Sequence, residues 1–132
     1  MNASVAFERR PAFSAGPRMT RPEFPRVVWE FVIATNARDL RWLETLFSER
    51  CTISACGFAA DGLGAVSRWM EEEIIAPSIW LVLDAVSFDG QVTSLRVRAA
   101  DHGLVHESEF IFRTAGRHIE SLTIAALPFH SS

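Results

Sequence analysis

A chain of 132 residues, 48% of them hydrophobic, is sized for one domain with a single core, and it contains no apolar run long enough to suggest a membrane span. Its net charge of −3 and lack of a basic stripe argue against nucleic-acid binding. There is no lysine and no tyrosine, and the missing tyrosine removes one class of acid and oxyanion donor.

Residues 1–24 carry Pro11, Gly16, Pro17 and Pro22 among scattered arginines and read as an irregular arm. Phe7, Phe13 and Phe24 are out of place in a wholly solvated arm, and folding back over the domain or a partner subunit would account for them. No apolar segment of secretory type precedes the domain, which is expected over residues 25–128. Cys51 and Cys56, an odd number of residues apart on an expected strand, would point to opposite faces, so neither a bridge nor a metal pair is expected. A reduced, cytoplasmic setting follows from that reading.

Pro25 suits the start of a helix, and Val27, Val28, Phe31, Val32 and Thr35 recur at helical spacing behind it. Asp39 is the expected N-cap of a second helix, whose apolar face is Leu40, Leu43, Leu46 and Phe47. Cys51–Cys56 reads as a short strand ended by Gly57. Asp61 is the expected cap of a third helix over Leu63, Val66, Met70 and Ile74, stopped by Pro77. Glu71, Glu72 and Glu73 form its solvated side.

The rest of the chain reads as strands. Ile79–Phe88 runs into Asp89-Gly90, a two-residue hairpin signal, and Gln91–Ala100 follows. Asp101–Gly103 turns the chain into Val105–Phe112, and Thr114–Gly116 turns it into Arg117–Leu127. Helices followed by an antiparallel meander give an α+β fold, with three helices packed on one face of the sheet.

Pairing Phe88 with Gln91 and Ala100 with Gly103 assigns the faces. The inner face then carries Trp80, Val82, Asp84, Val86, Leu95, Val97, His106, Ser108, Phe110 and Phe112. The last strand is set with Leu122, Ile124 and Ala126 inward, which also turns Glu120 inward. The outer face receives Arg96 and Arg98 beside Glu107 and Glu109, and the apolar Ile79, Leu81 and Leu83. That apolar edge points to a homodimer through the outer sheet face.

On this assignment His106 and Ser108 stand about 7 Å apart on one strand, and Asp84 lies about 10 Å from Ser108 across two strands. Burial in an apolar wall would raise the Asp84 pKa into a useful range. Asp84 and His106 would then move a proton while Ser108 positions the ligand. Trp29, Trp80, Val97, Phe110, Phe112, Glu120 and Leu122 would line the pocket. No metal site, phosphate-cradling glycine loop or cofactor is expected.

The order helix, helix, strand, helix, four-stranded meander resembles the cystatin-like cone of the nuclear transport factor 2-like superfamily, its SnoaL-like branch in particular. The resemblance is carried by Asn36-Ala-Arg-Asp-Leu-Arg-Trp-Leu-Glu-Thr-Leu-Phe47, Gly64-Ala-Val-Ser-Arg-Trp69, Phe88-Asp-Gly-Gln-Val-Thr-Ser-Leu-Arg-Val97 and Phe110-Ile-Phe-Arg-Thr-Ala-Gly-Arg117. It implies a curled sheet wrapped by helices around an apolar pocket, usually in a homodimer. It also implies either a binder of small hydrophobic molecules or a cofactor-free isomerase, polyketide cyclase or dehydratase. The family's catalytic residues do not carry over intact. Ser54-Ala55-Cys56 stands where the isomerases place an aspartate base, Ser108 where isomerases and cyclases place an acid, and Arg96-Val97-Arg98 where the epoxide hydrolases place Arg-x-Asp. A non-catalytic ligand-binding or dimeric assembly domain is therefore the alternative reading.

Overall fold

The computed structural model describes residues 24–101 and 104–126. The expected arm (apart from Phe24), the turn at His102 and Gly103, and the end of the domain beyond 126 lie outside the described residues. Helix α1 (Arg26–Asn36) leads into α2 (Leu40–Leu46), β1 (Phe47–Ala55) and β2 (Phe58–Asp61). Helix α3 (Leu63–Met70) then continues through one π-helical turn, Glu71–Ile75. Strands β3 (Trp80–Phe88), β4 (Val92–Asp101), β5 (Leu104–Ala115) and β6 (His118–Ala126) complete the chain. The six strands form one sheet in the order β2-β1-β6-β5-β4-β3, antiparallel except where β1 runs parallel to β6. Three helices on one face of a curved sheet is the expected α+β architecture. No helix among the described residues is long and apolar enough to cross a membrane.

Local chemistry explains most of these boundaries. The Asp39 carboxylate accepts the Trp42 N–H at 3.0 Å and caps α2, as expected. Helix α3 starts differently. Gly62, at φ +92°, is its N-cap residue and gives it no side-chain cap, because Asp61 is the last residue of β2. Strand β2 was not expected, since Phe58-Ala-Ala-Asp61 has no period-two pattern. It pairs with β1 through a two-residue turn, Cys56-Gly57, with φ of +50° and +87°, the left-handed geometry of tight hairpins. Phe47, expected on the α2 face, is instead the first residue of β1 and is buried.

The core is built where α1 crosses the inner face of the sheet. Phe31 is fully buried, with its ring centroid 5.1 Å from that of Phe112 and 6.1 Å from those of Phe110 and Phe47. Leu95, Val97 and Leu122 complete that wall, while Val66, Met70 and Ile74 bring the third helix onto the same core. The far end of α1 is held by polar bonds. The Asn36 amide donates to the Leu81 carbonyl at 2.9 Å and accepts the Leu81 N–H at 2.8 Å. It pairs with the edge of β3 as a neighbouring strand would. Arg38, at φ +56°, donates to the Ser78 carbonyl at 3.2 Å and fastens the same corner.

Asn36→Ala leaves both Leu81 backbone groups without these partners in a half-buried site, and is expected to cost about 1–2 kcal/mol. Phe31→Ala empties the middle of the core and is expected to cost about 3–5 kcal/mol. Urea unfolding of each variant at unchanged m-value checks both figures.

Candidate functional site

The inner face is set by strand register. In the sheet, Ala100 pairs with Val105, Leu95 with Phe110, Val97 with Ser108 and Ala99 with His106. Each pairing differs by two residues from the expected one, which preserves every facing on β4 and β5. Val97, Ser108, Phe110 and Phe112 therefore lie inward and buried, and Leu122 joins them from β6. His106 shares the inner face with Ser108 but is exposed, so it stands at the rim and not on the floor.

Strand β3 departs from expectation because it contains a bulge. Leu83 pairs with Val97 and Ala85 with Arg96, leaving Asp84 as the extra residue. Before the bulge, the inward residues are Leu81 and Leu83, and Trp80 and Val82 lie on the outer face; the expected facing is reversed. After it, Val86 and Phe88 take the inner-face positions, although both remain exposed. Asp84 turns outward and accepts three hydrogen bonds from Arg98, two from Nε at 3.2 and 3.0 Å and one from Nη2 at 3.0 Å. It is not buried in an apolar wall, and it does not face Ser108.

Three other expected pocket residues also lie elsewhere. Trp29 is 40% exposed on α1, and Trp80 is 47% exposed on the outer sheet face. Glu120 is the extra residue of a second bulge, where Arg113 pairs with Ser121 and Thr114 with Ile119, and it too is exposed. Of the positions matched to the acids of the isomerases and cyclases, Ser54 and Cys56 are exposed, Ala55 is half-buried on the inner face of β1, and Ser108 is buried.

What the interior does hold, on α1 and on the inner face of the sheet, is a set of hydroxyls. The buried polar side chains among the described residues are Thr35 on α1, Thr93 on β4 and Ser108 on β5. Thr35 Oγ1 and Thr93 Oγ1 have no hydrogen-bond partner among the described residues. Helical spacing already sets Thr35 on the apolar side of α1, and strand alternation sets Thr93 on the face of Leu95 and Val97, where its pairing with Phe112 keeps it. A surface groove of about 500 Å³ lined by Pro25, Arg26, Val27, Glu30, Gly116 and Arg117 contains none of the expected site residues.

The two cysteines differ in environment. Burial pushes the Cys51 thiol above its usual range; its backbone hydrogen bond works against this, and the charge of Asp61 adds to it. Cys56 is exposed in the β1–β2 turn. Iodoacetamide is therefore expected to label Cys56 in the native protein and Cys51 only on unfolding, as read by peptide mass spectrometry. Because the unfolded Cys51 thiol ionises at lower pH than the folded one, its contribution to stability is full below the ordinary thiol range. That contribution is lost as pH rises through the raised value, so denaturant midpoints should fall on the alkaline side.

No family model and no curated protein matches the sequence. Solved structures do resemble the fold. An NTF2-like protein of unknown function from Cytophaga hutchinsonii is 18% identical, with 83% of this chain and 96% of that chain covered at a TM-score of 0.69. A proposed polyketide cyclase from Sinorhizobium meliloti is 20% identical, with 77% and 95% covered at 0.73. The epoxide hydrolase/cyclase-like enzyme SalBIII, which has a role in pyran ring formation in the polyether salinomycin, is 16% identical, with 76% and 88% covered at 0.70. Identities this low carry the fold and nothing finer. With three helices on a six-stranded curved sheet in that topology, the chain has the nuclear transport factor 2-like α+β cone fold.

Proposed function

We propose that the protein is a SnoaL-like, homodimeric binding domain that holds a small, uncharged hydrophobic molecule against the inner face of its sheet and performs no proton transfer. The observation that supports this most directly is the chemistry of that face. Its buried polar groups among the described residues are the hydroxyls of Thr93 and Ser108, with Thr35 buried on α1, and the carboxylate expected beside them, Asp84, is bound to Arg98 on the other side of the sheet. A general acid or base needs a pKa near the working pH and a place within hydrogen-bond reach of the reacting atom. Aliphatic hydroxyls have no such pKa, and Asp84 has no such place. Hydroxyls among phenylalanines instead suit the orientation of a neutral ligand.

The second copy is assigned to the outer face. Trp80, Ala100 and Val105 form one cross-strand row there, with Trp80 47%, Val82 38% and Val105 61% exposed. Beside this row β4 presents Arg96 and Arg98 while β5 presents Glu109 and Glu107 directly opposite them. A two-fold axis can lay the basic column of one copy over the acidic column of the other, with the apolar row as the anchor. The anchor differs from the expected one, because Leu81, Leu83 and Ile79 pack into or against the core. The unbridged cysteines fit a reducing, cytoplasmic setting.

A second reading, cofactor-free isomerisation, cyclisation or dehydration, rests on His106 and Ser108 sharing the inner face. The occurrence of the fold in a proposed polyketide cyclase and in SalBIII supports it by analogy. Titration with steroid-like and polyketide-like ligands separates the two readings. The binding reading expects saturable binding without turnover, kept in Asp84→Asn and weakened in Ser108→Val. Product formation that disappears in His106→Ala would overturn it in favour of the enzyme. For assembly, Trp80→Asp is expected to halve the mass measured by light scattering while leaving the circular dichroism unchanged.

A further inference from the structure

Helix α1 is apolar on two sides. Val28, Phe31, Val32 and Thr35 face the core, yet Trp29 and Ile33, one turn apart, are 40% and 37% exposed. A helix with a second apolar stripe is suited to being covered on that side as well. The stripe is separate from the outer sheet face and from the hydroxyls of the inner face.

We propose that the chain's own first 23 residues cover this stripe, with the arm folding back along α1 so that Phe7 and Phe13 sit against Trp29 and Ile33. The point of attachment favours this occupant. The arm joins the domain at Phe24, which is half-buried against the core, directly before the start of α1. Trp29 and Ile33 lie about 6 and 12 Å along the helix from Pro25, at about 1.5 Å per residue. The eleven residues from Phe13 to Phe24 can extend roughly 36 Å, so the return path is short and unstrained. Tethering also places the arm at a high effective concentration over a stripe that a separate partner would have to find by diffusion.

Charge favours the same occupant. Four arginines against two glutamates give residues 1–23 a net charge of +2, and nine arginines against fourteen acids give the remainder −5. Glu71, Glu72 and Glu73 at the end of the third helix are all exposed. A basic arm carrying two phenylalanines is thus matched in net charge to the acidic remainder of the chain, whose first helix carries the exposed tryptophan and isoleucine.

Trp29 reports on the contact. Subtracting the emission of the Trp29→Phe variant from that of the parent isolates the Trp29 signal. This is done for the full chain, for a chain lacking residues 1–23, and for a full chain carrying Phe7→Ser with Phe13→Ser. The expected result is a red shift of the Trp29 component and stronger acrylamide quenching in both altered chains, at unchanged mass by light scattering. A smaller shift in the same direction is expected for the full chain in high salt. The double substitution keeps the test decisive should the deletion fail to fold. A Trp29 component identical in all three chains would overturn the proposal. So would a shift in the full chain that varies with protein concentration, since the arm would then lie on a second copy.

Discussion

The position of α1 across the sheet is the constraint on which the rest of the molecule depends. It is fixed by two unlike contacts. In the middle, Phe31 packs against Phe112, Phe110 and Phe47 from both ends of the inner wall. At the end, Asn36 joins the free edge of β3 by a donated and an accepted hydrogen bond. The first contact is large and non-directional, since burying an aromatic ring contributes a few kcal/mol and tolerates small rotations. The second is smaller and sets the register, because two bonds to one residue are satisfied in only one position. Together they decide how much of the inner wall remains for anything else. Phe31 occupies the centre of the cone, and the hydroxyls of Thr93 and Ser108 are brought into the interior from strands β4 and β5.

The two β-bulges decide which residues belong to that interior. Each inserts a single residue, and each inserted residue is an acid, Asp84 on β3 and Glu120 on β6. An acid that breaks the pleat needs water or a cation. Asp84 has the Arg98 guanidinium, half-exposed beside it, and Glu120 has solvent. An exposed pair of this kind contributes at most about 1 kcal/mol. Its importance is geometrical: the strand switches faces there, so that Leu81 and Leu83 point into the core where a regular strand would have placed Trp80 and Val82. The inner face thereby loses both of the carboxylates that a regular pleat would have assigned to it.

This explains what was legible in the sequence and what was not. Helical periodicity in Val27–Thr35, the Asp39 cap and the alternation of Val105–Phe112 are local signals, and each produced the element expected of it. Facings on β4 and β5 survived a two-residue error in both hairpins because the side-chain period is two. For β3 and for Glu120, one extra residue made the difference, and no local pattern marks a bulge. Asp84 could be paired with Arg98 only by knowing which residue stands across the strand boundary. Strand β2 was hidden for a related reason, since Phe58-Ala-Ala-Asp61 gains its pairing from β1 and not from its own pattern. The clasp of Asn36 on Leu81 spans 45 residues, beyond any window of periodicity.

The distribution of charge over the two sheet faces is the last step from structure to function. On the inner side, ionised groups would have to be desolvated beside phenylalanine, which is costly without a partner. The side chains buried there are apolar or carry hydroxyls, apart from the Cys51 thiol on β1, which burial holds in its neutral form. On the outer side, Arg96, Arg98, Asp84, Glu107 and Glu109 stand where water or a second copy can solvate them, and they alternate in sign across the strands. Proton-transfer enzymes need the opposite arrangement, with at least one ionisable group brought inside and its pKa moved by that environment. A β3 without the bulge, in unbroken alternation with Val86 and Phe88, would carry position 84 through the sheet and turn Leu81 and Leu83 out of the core. A chain whose β3 runs straight through position 84 would present an acid to the inner wall; this one presents that acid to arginine. The bulge at Asp84 is therefore the feature on which the proposed binding role, as opposed to proton transfer, rests.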